Sequence, residues 1–292
     1  MKNGAYTLLI TPFLEDLSLD ENGLRILVKR QIEAGIHGIA PLGVTGENTL
    51  MTDKEVYRVV EIIAEEAKGK VLIIPDTCTE NLTIAKERVK VYKDLGADYI
   101  SVFCPYFVLP KADGIIKFYA DLADHSEVPI LLHGAKGRTG VELTPQISAV
   151  LAKHPNIVGI KDGNKDLGHL SQVIHLTRNE DFKVFTGKDT TAYATALMGG
   201  AGTFTVAGNI VPEIMAKMID FIFAGKLKEA ENIHHEYFEV FDSLRFETNP
   251  MAAKAALTLM GLPAGSLRPP LTPLSPKYVE EIKTILLERK LI

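Results

Sequence analysis

Asn156-Ile157-Val158-Gly159-Ile160-Lys161-Asp162-Gly163 is a run of β-branched residues that ends in one lysine, after which Asp-Gly turns the chain. Ile157 to Ile160 is apolar on both faces, the pattern of a strand buried in a parallel sheet. A lysine closing such a strand meets a low-dielectric pocket that disfavours its charged form. An ordinary lysine, with a pKa of ~10.4, is neutral in fewer than about one molecule in a thousand at pH 7. Lowering that value by about 3 units makes the amine a usable nucleophile towards a carbonyl. Lys161 is therefore a candidate Schiff-base lysine, although a strand-end lysine that merely reaches solvent would read the same way.

Outward from this strand the same alternation repeats in both directions. Upstream, strands are expected at Ala5 to Ile10, His37 to Leu42, Val71 to Pro75, Tyr99 to Phe103 and Pro129 to Leu132. Downstream they are expected at Phe182 to Thr186 and Thr203 to Ala207. Helices fill the intervals, with Asp20 and Thr52 as N-caps and Thr144-Pro145 as a cap followed by proline at the first helical position. Eight strand-then-helix units point to an α/β fold, a closed (β/α)8 TIM barrel. A doubly wound sheet is the alternative, but no glycine-rich dinucleotide fingerprint follows the first strand. From Pro212 the pattern is helical only: Pro212 to Phe223, Leu227 to Leu244, Pro250 to Met260 and Pro276 to Leu287. The expected division is a barrel over residues 1–224 and a C-terminal helical region over residues 225–292.

A chain of 292 residues, 46% hydrophobic and 24% charged, can bury a large core. Its net charge of -5 and lack of a basic cluster argue against a nucleic-acid partner. The two cysteines, Cys78 and Cys104, have no metal-ligand or redox spacing and suit a reducing compartment. No signal peptide fits the first residues and no apolar run is long enough for a bilayer, so no membrane partner and a cytoplasmic location are expected.

Barrel active sites lie where strands run into the following helices. Thr45, Tyr106, the His133 to Arg138 loop and Lys161 all fall at such ends. Gly43 to Glu47 brackets Thr45 with glycines, so backbone N–H groups and a hydroxyl can face one anion, or the segment is an ordinary tight turn. Arg138 can grip a carboxylate in two places, or pair with Glu142. His133 can carry protons near pH 7, or be a satisfied structural group. Tyr106-Phe107 reads more simply as packing than as catalysis.

Taken in order, Gly43-Val44-Thr45-Gly46-Glu47, Pro105-Tyr106, Gly137-Arg138-Thr139-Gly140, Gly159-Ile160-Lys161 and Glu247-Thr248-Asn249-Pro250 resemble the dihydrodipicolinate synthase and N-acetylneuraminate lyase family. The resemblance covers nearly the whole chain. It implies a (β/α)8 barrel with a C-terminal helical region, assembled as a homotetramer (a dimer of dimers). It implies a Schiff-base lyase, with Lys161 forming an imine with pyruvate and the resulting enamine attacking a small aldehyde. No metal or organic cofactor is required for that chemistry. The catalytic set is then Lys161 and His133, and the substrate-binding set is Thr45, Val44, Arg138 and Phe204. Tyr106 and Phe107 fall at the pocket or a subunit interface.

The departures from the resemblance concern protons. The resemblance implies a relay through three hydroxyls: a threonine before Thr45, a tyrosine at the end of the fifth strand and a tyrosine lent across the dimer interface. This chain has Val44, His133 and Phe107 at what match those positions. The expectation is that His133 replaces a tyrosine as proton carrier. A 2-keto-3-deoxy sugar-acid aldolase and a non-catalytic keto-acid or amino-acid binding paralogue are the other readings. A barrel isomerase or phosphate-sugar enzyme has only the slight support of Ala207-Gly208-Asn209 after the last strand.

Overall fold

A computed structural model describes all residues 1–292. Eight parallel strands alternate with helices: β1 (Gly4–Leu8), β2 (Gly38–Ala40), β3 (Leu72–Ile73), β4 (Ile100–Phe103), β5 (Ile130–Gly134), β6 (Ile157–Asp162), β7 (Lys183–Thr186) and β8 (Gly202–Thr205). Their order, β3-β2-β1-β8-β7-β6-β5-β4, runs round the sheet. The seam between β3 and β4 is closed by a parallel bridge from Asp76 to Ser101. Ser101 N donates to Pro75 O at 2.9 Å and Thr77 N to Ser101 O at 3.0 Å. The sheet is a (β/α)8 barrel, as the alternation in the sequence implies.

The caps read in the sequence start the helices. Asp20 Oδ1 accepts from Gly23 N at 2.8 Å at the head of Glu21–Glu33. Thr52 and Glu55 form a reciprocal capping box on Asp53–Ala67. Val56, Val59, Val60 and Ile63 face inward at helical spacing, so that helix buries one stripe against the sheet. A second, smaller core fills the barrel itself. In it Tyr6 stacks on Phe204 with ring centroids 5.2 Å apart, and Phe185 meets both rings edge-on.

Two expectations are corrected. The segment Leu227 to Leu244 is two helices, Leu227–Glu236 and Phe238–Ser243, because Tyr237 leaves helical geometry at φ -103°, ψ 9°. The segment His133 to Arg138 is not all loop: His133 and Gly134 extend β5, and Lys136–Thr139 form one helical turn. The main core runs without a break from the barrel into the C-terminal helices, joining Leu9 and Ile10 to Met251, Ala252 and Ile282.

An ion-pair cluster ties those helices to the mouth of the barrel. Lys254 Nζ lies 2.6 Å from Glu47 Oε1, and both side chains are essentially inaccessible. Glu47 holds φ at 56°, which strains a residue with a Cβ, and its second oxygen accepts from Arg268 N at 3.1 Å. Burying a charge pair costs solvation, but removing one partner costs more because the other is left alone. Lys254→Met is expected to lower the unfolding free energy by about 3–5 kcal/mol. Adding Glu47→Gln should recover part of the loss, and urea unfolding of the two variants checks both statements.

Candidate active site

Strand alternation decides which side chains meet inside the barrel. Leu131 belongs to the inner core, so His133, two residues on, points the same way. Ile160 packs outward, which turns Lys161 inward. Register then sets them side by side, because His133 pairs with Lys161 across β5 and β6. Lys161 Nζ stands 3.3 Å from His133 Nδ1. The two residues are only 4% and 3% exposed.

Asp76 completes the group. Its Oδ2 lies 2.5 Å from His133 Nδ1 and accepts from Ser101 Oγ at 2.8 Å, while Oδ1 accepts from Cys78 N at 3.2 Å. The carboxylate accepts the Nδ1 hydrogen, so the tautomer follows from the partner. Burial pushes the Lys161 amine down to about 8, with the Asp76 charge opposing and Lys188 assisting. Burial and the Lys161 charge also lower His133, against the pull of Asp76. Burial would raise Asp76, but His133, Lys161 and Ser101 together hold its carboxyl below the ordinary range. At pH 7 an amine titrating near 8 is neutral in about one molecule in ten, hundreds of times the share of an ordinary lysine.

Lys161 and His133 open onto a cleft of about 1060 Å³, shared by Val44, Thr45 and Arg138. Thr45 Oγ1 accepts from Asn249 Nδ2 at 2.9 Å, which leaves the hydroxyl hydrogen for another acceptor. The turn carrying Thr45 is tight: a Cβ on Gly46 would stand 2.6 Å from Leu42 N. Arg138 is exposed at the rim and has no ion pair. Its sequence neighbour Lys136, and not Arg138, pairs with Glu142, at 3.1 Å.

The remaining candidates are placed differently. Phe204 is fully enclosed below the cleft, with its ring centroid 5.9 Å from Lys161 Nζ. Tyr106 lines an adjoining hollow with Val44, Arg138 and Asn249, and its hydroxyl reaches Cys78 O at 3.4 Å. Phe107 is 87% exposed and lines neither space. The loop Ala207–Asn209 is occupied with holding the barrel: Asn209 bonds Ile10 N and Leu8 O.

Asp76 and Ser101 were not among the sequence candidates, and Asn249 stood only within the Glu247-Thr248-Asn249-Pro250 motif, without a role. Asp76 had a readable signal, an acid directly after the apolar strand that ends at Pro75, the same signal that marks Lys161. Ser101 had none, since a serine within a strand is ordinary.

No helix is long and apolar enough to cross a membrane. Residues 1–289 match the dihydrodipicolinate synthetase family. The chain is 39% identical to the 4-hydroxy-tetrahydrodipicolinate synthase of Methanospirillum hungatei, over 98% of this chain and 99% of that one. It is 36% identical to the enzyme of the same name from Methanoculleus marisnigri, with the same coverage. The dihydrodipicolinate synthase of Thermotoga maritima superposes with a TM-score of 0.97 at 32% identity, over the full length of both chains. The chloride-inhibited dihydrodipicolinate synthase of Acinetobacter baumannii, complexed with pyruvate, gives 0.97 at 33% identity, also over both full chains. A closed barrel with a buried, partly neutral lysine at its mouth and relatives of one name along its whole length lead to one assignment: the chain belongs to the dihydrodipicolinate synthetase family.

Proposed function

We propose that this chain is a class I pyruvate aldolase of the 4-hydroxy-tetrahydrodipicolinate synthase type, with Lys161 as nucleophile and His133 as proton carrier. The observation that carries this reading is the Lys161–His133–Asp76 group, closed off below by the apolar barrel core and open above to the cleft.

Neutral Lys161 Nζ attacks the keto carbon of pyruvate, and the carbinolamine loses water to give an imine. Proton transfer at C3 after the imine has formed needs a carrier, and His133 is the only ionisable side chain within hydrogen-bond range of Nζ. The protonated imine draws electrons from C3, which loses a proton and becomes an enamine. The enamine attacks the aldehyde carbon, and hydrolysis returns the free amine; the reverse path cleaves the same bond. Thr45, beside Val44 in the turn after β2, is positioned to donate its hydroxyl hydrogen to the pyruvate carboxylate. Arg138 at the rim suits an anionic group on the aldehyde.

The altered relay is part of the proposal. Val44 and Phe107 carry no hydroxyl, so the Asp76–His133 pair takes over the proton traffic. A second reading, a 2-keto-3-deoxy sugar-acid aldolase, is favoured by Asn164, Thr248 and Asn249 in the cleft wall, which can bond a polyol. A product assay decides between them. Pyruvate with aspartate semialdehyde should yield the cyclic dicarboxylate, whereas turnover confined to pyruvate with glyceraldehyde would establish the sugar-acid activity instead.

Assembly as a homotetramer belongs to the same proposal. Phe107, Val108 and Leu109 form an apolar tip, 87%, 65% and 60% exposed, of the kind that docks on another chain. Phe107→Asp is expected to shift the protein to smaller assemblies in light scattering, and an unchanged mass would remove this tip from the interface. Two buried free thiols, Cys78 and Cys104, fit a cytoplasmic location.

A further inference from the structure

The side chain that sets the direction of the Thr45 hydroxyl comes from outside the barrel. Asn249 stands just ahead of the helix Met251–Leu259 in the C-terminal region, and its Nδ2 donates to Thr45 Oγ1 at 2.9 Å. No other hydrogen bond within the chain reaches that hydroxyl, and Thr45 is buried. An amide N–H can only donate, so it occupies Oγ1 as an acceptor and turns the single hydroxyl hydrogen away from itself. Asn249 lines the cleft together with Val44, Thr45 and Lys161. Because Val44 carries no hydroxyl, Thr45 has the only one on its turn, Gly43 to Glu47, and its direction decides what the turn can offer an anion.

The backbone of that turn is held by other means. Glu47 N donates to Val44 O at 3.2 Å, Thr11 Oγ1 donates to Gly46 O at 2.8 Å, and Lys254 grips the Glu47 carboxylate at 2.6 Å. What Asn249 controls is therefore one hydrogen and not the path of the chain. Its own placement lowers stability: Oδ1 is sealed from solvent and has no hydrogen-bond partner. An apolar residue there would leave no such orphan. The segment is nevertheless anchored on both sides, with Ser275 N donating to Glu247 Oε2 at 3.2 Å and Met251 N to Thr248 O at 2.9 Å.

We propose that Asn249 is a positioning residue for the keto acid: it holds the Thr45 hydroxyl as a donor towards the pyruvate carboxylate, which makes the C-terminal region part of pyruvate recognition. The proposal rests on the aldolase reading, in which that carboxylate meets Thr45.

The test measures borohydride-trapped adduct against pyruvate concentration in the full-length protein, with circular dichroism on every variant. Asn249→Ala and Thr45→Val should each raise the half-saturating pyruvate concentration by about tenfold, the worth of a hydrogen bond to a charged group. The double variant should lose no more than either alone, and kcat at saturating pyruvate should change by less than about threefold. Asn249→Asp keeps the shape and reverses the bond, because a carboxylate takes the Thr45 hydrogen and sets its charge against that of pyruvate. Half-saturation should then rise by about a further tenfold. A side chain that merely fills space gives the opposite order, with alanine worse than aspartate. That order, or losses from Asn249→Ala and Thr45→Val that add in full, would overturn the proposal. A crystal structure of the trapped wild type needs no variant to fold. Thr45 Oγ1 within hydrogen-bond distance of both Asn249 Nδ2 and a carboxylate oxygen is expected there, and a broken Asn249 contact would overturn the assignment. If the wild type forms no adduct, the aldolase reading fails instead. Pyruvate titrated by calorimetry into Lys161→Met, with and without Asn249→Ala, then scores the carboxylate contact by itself: weaker binding with the alanine supports it, and equal binding overturns it.

Discussion

Lys161→Met should lose on the order of 10⁴-fold or more in kcat with any aldehyde, while keeping the wild-type fold by circular dichroism. Methionine is nearly as long as lysine and apolar, so it fits a position that is 4% exposed without asking the barrel to bury a charge. What disappears is the only covalent attachment the mechanism has. The same argument fixes the pH dependence of the wild type. Imine formation needs the neutral amine, and the folded protein titrates that amine near 8. Below about pH 8 the rate of imine formation with pyruvate should climb nearly tenfold per unit, and above it level off. An ordinary, solvated lysine would instead keep climbing to about pH 10. Stopped-flow trapping across pH 6 to pH 10 separates the two curves.

Asp76→Asn should split two steps that a merely structural residue would damage together. The Asp76 charge raises the proton affinity of both Lys161 and His133. Removing it leaves the amine more often neutral at pH 7, so the first attack on pyruvate should be as fast as in wild type or faster. His133, however, loses the charged carboxylate that accepts its Nδ1 hydrogen at 2.5 Å, and with it basicity and a firmly fixed tautomer. Turnover should fall by about 10²–10⁴-fold, the usual worth of a positioned acid–base group. His133→Phe, which keeps the ring in contact with Phe103, should show a similar loss of turnover without the gain in the first step. If turnover and imine formation fall in parallel in Asp76→Asn, the carboxylate is holding the barrel seam to Ser101 and not serving His133.

The fold was legible because it is written in alternation and caps. Asp20, Thr52 and Thr144 start helices where the sequence places them, and the apolar runs between them have no choice but to be strands. Helix breaks are less visible: nothing in Ile233 to Phe241 announces the interruption at Tyr237, where neither proline nor glycine stands. Of the site, the single polar residue ending an apolar strand was the readable sign, and it marked Lys161 and His133. Asp76 carried that sign too and was passed over, because its importance lies in a seam between β3 and β4 that only closure of the barrel creates. Phe107 shows the limit of a single chain: the resemblance matches it to a side chain lent across a subunit interface, and on the protomer it is exposed.

The central claim is that Lys161 is the amine that bonds covalently to pyruvate, and one measurement addresses it directly. Wild-type protein is incubated with pyruvate, reduced with borohydride, digested and mapped by mass spectrometry. One added three-carbon acid unit per chain, located on the peptide containing Gly159-Ile160-Lys161-Asp162 and missing from Lys161→Met, is the expected result. An unmodified Lys161, or an adduct spread over surface lysines such as Lys117 and Lys228, would contradict it.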